Sequence, residues 1–274
     1  MVTTASADED LHRAPAGAPA RVDLNCDLGE SFGRWRLADD DALLGLVTSA
    51  NVACGFHAGD PLTILHVLEV AVERSVAIGA HVSYRDLAGF GRRYLAASRA
   101  ELRADVLYQL AALAGMAASV GGRVAYVKPH GALYNRIVAD EEHAGAVVDA
   151  VAAFDPMLPI LGLPGSAVLR LAAEAGMQTA TEAFADRGYA NDGTLLPRGT
   201  AGAMLTDAAA VAARAVRMAT RREVQAADGT VLAVAADSIC LHSDTDGALP
   251  MLQATREALD AAGVALAPFA PAVR

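Results

Sequence analysis

From Arg21 onward, short apolar runs alternate with longer stretches in which apolar positions recur every three to four residues. The short runs are RVDLNCD (21–27), LVTSANVAC (46–54), SVAIGAH (75–81), RVAYVKPH (123–130), LPILGL (158–163), MQTATEAFAD (177–186) and SICLHSD (238–244). Their length, β-branched content and flanking Gly, Pro and Asp mark seven candidate strands. Between them, PLTILHVLEVAVERS, SRAELRADVLYQLAALAGMAASV and TDAAAVAARAVRMATRREV carry helical spacing. Strands alternating with helices predict parallel strands joined by right-handed crossovers. Seven such units in about 250 residues predict an α/β fold closed into a TIM-like seven-stranded (β/α) barrel rather than an open sheet. No linker divides residues 21–274, which read as a single barrel domain. Residues 1–20, rich in Ala, Pro, Asp and Glu and without periodicity, read as a disordered extension.

Composition narrows the functional classes. A formal charge of -10 and scattered basic residues argue against a nucleic-acid or anionic-membrane partner. No apolar run reaches the roughly 18 residues that span a bilayer, and the N-terminus has neither the charged nor the apolar region of a signal peptide, so a cytoplasmic location is expected. Cys26, Cys54 and Cys240 have no metal-finger spacing and read as reduced, small buried residues. A P-loop, a G-x-S-x-G elbow and a G-x-G-x-x-G after a strand are all absent.

In parallel α/β folds the ligand site lies at the carboxyl ends of the strands. Here those ends carry Asp23, Asn25, Asp27 and Glu30; Asn51 and His57; His81; Lys128 and His130; Glu182, Asp186 and Arg187; and His242 and Asp244. Strand alternation places Asp23, Asn25 and Asp27 on one side of the first strand, facing the barrel mouth, and Leu24, Cys26 and Leu28 on the other. His12, His66 and His143 fall outside this pattern and read as ordinary surface or helix residues. His57, His81, His130 and His242 all follow strands, which favours a functional role. Asp60, before Pro61, reads as a helix cap. Lys128 is the chain's single lysine among 22 basic residues, a compact point charge suited to an anion or to an activated nucleophile.

The segments DLNCDLGESFG, SANVACGFHAGDP, GAHVSYRDLAGFGRR, VKPHGALYN, EAFADRGYANDGTLLPR and ICLHSDT, in this order, resemble the LamB/YcsF family from Arg21 to about Pro268. The resemblance implies a seven-stranded TIM-like barrel of the glycoside hydrolase/deacetylase type. It also implies ATP-dependent hydrolytic ring opening of 5-oxo-L-proline to L-glutamate, in complex with two further subunits, B and C, of the allophanate-hydrolase-like type. On that reading Asp27, His57 and His130 are base or metal-ligand candidates, with ATP as co-substrate and a divalent metal as a candidate cofactor. Lys128 and Arg92 or Arg187 are anion holders; Asn25, Asn51 and Asn135 orient the substrate, with His81 and His242 beside them. His57 is placed on a solvated, glycine-flanked rim. The alternatives are a metal-dependent deacetylase of an N-acetylated sugar, using Asp27, His57 and His130, and a non-catalytic subunit that delivers oxoproline. The chain lacks the second histidine of an H-x-x-x-H motif near His57, which ranks the deacetylase lower.

Overall fold

The structure, a computed structural model, describes residues 20–272. The elements in chain order are β1 (Arg21–Leu28), α1 (Asp40–Leu44), β2 (Ser49–Ala53), α2 (Pro61–Glu73), β3 (Ala77–His81), α3 (Arg99–Ser119), β4 (Val124–Val127), α4 (Gly131–Arg136), α5 (Glu141–Phe154), β5 (Ile160–Gly162), α6 (Ala167–Glu174), β6 (Thr179–Phe184), α7 (Ala208–Arg221), β7 (Glu223–Gln225), β8 (Val231–Ala233), β9 (Ser238–Leu241), α8 (Ala248–Ala261) and β10 (Ala265–Leu266). Strands β1 to β6 pair in sequence, and β9 pairs with both β6 and β1, closing a barrel of seven parallel strands. Each of the seven runs read from the sequence supplies one of these strands. The expected N-terminal extension lies outside the described residues except for Ala20, whose carbonyl accepts the amide of Ala265 at 2.8 Å.

Two features depart from the sequence reading. The helical pattern expected through Arg221–Val224 stops at Arg222, which turns left-handed at φ 54°, and Glu223–Gln225 then pairs with Val231–Ala233 as an antiparallel hairpin. Strand β10 adds a two-residue parallel pairing at the start of β1. Two or three residues are too few to display a period, so neither element carries a sequence signal.

Alternation along β1 separates two environments. Leu24, Cys26 and Leu28 join the main apolar core beneath the helices. That core includes Ile64, Val67, Leu68 and Ala71 of α2 and Leu102, Val106, Leu110 and Leu113 of α3, the stripe that a 3.6-residue period produces. Asp23, Asn25 and Asp27 point into the barrel, where register aligns Asp27, Asn51, Gly79 and Tyr126 across four strands. Tyr126 fills the space that a side chain at position 79 would occupy: a Cβ there would lie 2.2 Å from its ring. Gly79→Ala is therefore expected to lower stability by about 1–3 kcal/mol through overpacking, seen as a reduced urea midpoint at unchanged slope.

Candidate active site

The barrel interior is a hydrogen-bonded polar stack. At its base Asp23 accepts from Thr48 and Ser49, at 2.5 and 2.6 Å, and from Ser238. Above it, Asn25 donates to Glu182 at 3.0 Å and to Ser238 at 2.6 Å, and accepts from Asn51 at 2.7 Å. Asn51 also donates to Asp27 at 2.9 Å and accepts the Tyr126 hydroxyl at 2.6 Å. Lys128 enters from the end of β4 and places its Nζ 2.8 Å from Glu182, 3.2 Å from Asp27, 3.1 Å from Cys240 Sγ and 3.3 Å from Asn25. Burial alone would favour the neutral amine, but Asp27, Cys240 and Glu182 outweigh it and raise the Lys128 pKa well above the ordinary lysine range. Asp27 is held ionised despite burial by His81 and Lys128.

The histidine cluster lies above this stack. His57 sits on the loop after β2, where Gly59, at φ 81°, lets the chain pass Gly29; a Cβ there would come within 2.7 Å of the Gly29 carbonyl. Asp60 caps α2 as expected, accepting from Leu62 and Thr63, and also holds the Gly33 amide at 2.8 Å. His57 Nε2 lies 3.0 Å from Glu30, and its ring stacks on that of His130 with centroids 3.8 Å apart. His130 Nδ1 lies 3.0 Å from His81 Nε2, which lies 3.3 Å from Asp27.

The carbonyls around the cluster fix its protons. His81 Nδ1 faces Lys128 O and His130 Nε2 faces Phe90 O, each at 2.9 Å. A carbonyl only accepts, so both of these nitrogens carry hydrogen. His81 Nε2 and His130 Nδ1 are then both lone-pair nitrogens in the neutral rings, yet they face each other at hydrogen-bond distance. The contact is favourable when one of the two takes a further proton or both face a cation, with the ionised Asp27, 3.3 Å from His81 Nε2, as the counter-charge. Donor atoms of Glu30, His57, His81 and His130 all lie within 4.8 Å of one another, a set compatible with a divalent metal. The carbonyls behind His81 and His130 are the partners that orient metal-bound imidazoles. Burial, then the charge of Asp27, pushes the Glu30 carboxyl well above its ordinary range; burial, then the neighbouring rings, keeps His57 and His130 neutral.

The model of the LamB/YcsF family matches residues 22–274. The chain belongs to the LamB/YcsF family. It is 57% identical to the 5-oxoprolinase A subunit of Streptomyces avermitilis, covering 91% of this chain and 100% of that protein, and 54% identical to the Mycobacterium avium protein of the same name, covering 91% and 99%. Among solved structures, the lactam utilization protein from Thermus thermophilus superposes with a TM-score of 0.87 at 45% identity, covering 91% of this chain and 100% of that one.

Within this family member the expected site residues separate into four groups. His57, His81 and His130 come together, and Asp27 touches the cluster through His81. Asn25, Asn51 and Lys128 are instead engaged below it with protein partners. Lys128, expected as an anion holder, has its ammonium surrounded by Asp27, Glu182, Asn25 and Cys240 at 2% exposure. His242 is bound to Asp186 at 2.9 Å and stacks on Phe184. Arg92, Asn135 and Arg187 line a separate cavity of about 470 Å³ beside His130.

Two expectations are corrected. His57 is fully buried, not on a solvated rim, because the loop carrying Phe90 and Gly91 folds over it; a Cβ at Gly91 would lie 2.6 Å from His130 and 2.8 Å from His57. The carboxylate that meets His57 is Glu30, with His81 as the third ring of the cluster, while Asp27 reaches the cluster through His81 and also gathers with Cys240 and His242 in a second group of donor atoms. Glu30 lies two residues past the end of β1, where strand alternation no longer says which way a side chain points. His143, outside the cluster as expected, is buried against Tyr84, and His66 is exposed beside Asp41. His12 lies outside the described residues.

Asp23 supplies a pH signature for the stack. Burial pushes its pKa from 3.8 up to about 6, against the pull of its three hydroxyl partners. Its folded-state pKa thus exceeds the unfolded one, so between about pH 4 and pH 6 the native state binds more protons and stability falls as pH rises. Asp23→Asn is expected to remove a fall of roughly 3 kcal/mol from the stability profile across that window, measured by denaturant titration at a series of pH values.

Proposed function

We propose that this chain is the A subunit of an ATP-dependent 5-oxoprolinase, opening the lactam ring of 5-oxo-L-proline to give L-glutamate together with subunits B and C of the allophanate-hydrolase-like type. The observation that carries this reading is the family membership, at 57% identity to a 5-oxoprolinase component of that name over its whole length, joined to a buried histidine–carboxylate cluster at the strand ends. A lactam is a resonance-stabilised amide that water attacks slowly. Transfer of the terminal phosphoryl group of ATP to the lactam oxygen, with ADP departing, makes an imidate ester whose carbon accepts water. The C–N bond of the resulting tetrahedral adduct then breaks, with a proton taken up by nitrogen, and leaves an acyl phosphate, which a second water hydrolyses to glutamate and free phosphate.

Such a sequence needs a group that accepts a proton from water and returns one to the leaving nitrogen. The His81–His130 pair, whose facing nitrogens favour a further proton or a cation, suits this task, with Glu30 and His57 beside it. Asp27 stabilises the charged form of the pair, and Lys128 keeps Asp27 ionised. Arg92 and Arg187 face the adjoining cavity and hold the anionic part of the substrates, with Asn135 on the same wall. Where a divalent metal occupies the cluster, Glu30, His81 and His130 hold it, and it supplies electrophilic polarisation and a lowered pKa for water. The chain works in the cytoplasm on this reading; among the described residues no helix is long and apolar enough to cross a membrane.

Purified with its partner subunits, the protein is expected to form glutamate with stoichiometric ADP. His57→Ala is expected to lower turnover by roughly 100-fold or more, the scale of a lost acid–base group. Because His57 is buried, the same change should also lower stability, by on the order of 2 kcal/mol, and His57→Gln separates the two effects by preserving volume. Glutamate formation without ATP, or deacetylation of an N-acetylated sugar, would overturn the reading, and full activity of the partners without this chain's cluster would reduce it to a delivery role.

The metal reading has its own measurement. Titration of the chelator-treated chain with Co²⁺ is expected to give visible absorption bands that Glu30→Gln and His81→Ala abolish. Affinity should weaken as pH falls, because the metal displaces the proton held between His81 and His130. A spectrum without such bands at neutral pH would leave the shared proton as the occupant.

A further inference from the structure

We propose that the cavity walled by Arg92, Arg187 and Arg198 is a phosphoryl-binding site, which seats the terminal phosphate of a nucleotide next to the histidine cluster. The cavity lies between the start of α4 and residues 194–198 of the segment after β6, and its volume of about 470 Å³ falls in the roughly 300–1,000 Å³ range of small-molecule sites. Arg187 anchors it. This side chain is 4% exposed, and its Nε and Nη2 donate to the carbonyls of Ala203 and Leu196 at 3.1 and 2.7 Å, which leaves Nη1 for a ligand. Burial, then the charges of Arg198 and Arg92, pushes its pKa down to about 10.

Charge and guanidinium geometry together point to the ligand class. Asp244 pairs with Arg92 and lies 4.0 Å from Arg198. Asp186, next to Arg187 in sequence, is bound to His242 at 2.9 Å. Three guanidiniums therefore face two carboxylates, Asp244 and the ionised Asp186, whose charge also reaches Arg187, which leaves the wall net positive. A phosphoryl group, carrying about -1.5 to -2 near neutral pH, is drawn to such a wall more strongly than the single charge of a lactam acid's carboxylate. Guanidinium forks also match phosphate oxygens in bidentate fashion, which the single buried lysine of this chain does not. The remaining wall, with Val138, Leu163, Leu195 and Pro197, is apolar and suits the uncharged body of a ligand.

Position ties the cavity to the chemistry. Arg92 follows Gly91, whose missing side chain allows the backbone to rest against His57 and His130, and Gly131 follows His130 and lines the cavity. An anion held by the three arginines thus adjoins the cluster across one residue of backbone on each side. The assignment to a nucleotide rests on the ATP-dependent reading above, but the anion site itself does not.

The test is calorimetric titration of the full chain, alone, with inorganic phosphate, tripolyphosphate, ADP, ATP and 5-oxoproline. Phosphate-bearing ligands are expected to bind, more weakly as salt is raised. Arg92→Gln and Arg198→Gln, both at partly exposed positions, should each weaken that binding by roughly tenfold or more, with thermal melting retained. Arg85→Gln, on a distant surface pair with Asp105, should not weaken it. Tighter binding of ADP or ATP than of inorganic phosphate supports a nucleotide seat, and equal binding supports a seat for the released phosphate; both uphold the phosphoryl site. Absence of phosphate binding, binding indifferent to both variants, or arginine-dependent binding of 5-oxoproline alone would overturn it. Arginine-dependent tripolyphosphate binding in a protein whose complex opens no lactam would uphold this site while overturning the oxoprolinase reading.

Discussion

One ammonium group inside the barrel organises the rest of the site. Lys128 Nζ sits between Asp27 and Glu182, which come from β1 and β6, the two strands that flank β9. Without it two buried carboxylates would face each other in a low-dielectric interior, and removing one partner of such an arrangement typically costs about 3–5 kcal/mol. With it, Asp27 stays ionised and so holds a charge below His81, while Asn25 and Asn51 are locked by the carboxylates they contact. The polar stack is thus a support for the histidines above it.

This interior differs from the branched apolar layers that usually fill a (β/α) barrel. Burying Asp23, Asp27, Lys128 and Glu182 is tolerable because nearly every oxygen and nitrogen finds a partner; the unpartnered atoms among them reduce to one Glu182 oxygen. Stability comes instead from the outer layer, where Leu24, Cys26 and Leu28 of β1 meet the apolar stripes of α2, α3 and the other helices. Separating the two layers lets the interior be specified for chemistry while the exterior is specified for packing.

The loop after β3 links the two parts of the site. Its Phe90 turns left-handed at φ 54°, presents its carbonyl to His130 and its ring edge-on to both His57 and His130. The next two residues, Gly91 and Arg92, respectively seal the histidine cluster and open the arginine cavity. A single segment therefore covers the histidine cluster and places a cation beside it, an arrangement in which electrostatic interactions are stronger than in water.

The sequence by itself determined the seven strands, their parallel order, the inward side of β1, the cap formed by Asp60 and the rim position of His57, His81 and His130, because each follows from local periodicity or turn chemistry. The motif order also determined the family. Tertiary structure decided which of these groups touch. Glu30 rather than Asp27 stands beside His57 because it lies past the end of β1, where the two-residue alternation no longer fixes direction. His57 is buried rather than solvated because residues 82–93, more than twenty positions away, fold over it. Lys128 is enclosed by Asp27 and Glu182 because β1 and β6, far from it in sequence, converge inside the barrel. Arg198 joins Arg187 because the segment after β6 folds back, and Arg92, from the loop after β3, meets both at the cavity. Contacts between distant segments depend on how the barrel closes and where its loops fold back, and a periodic pattern carries no information about either.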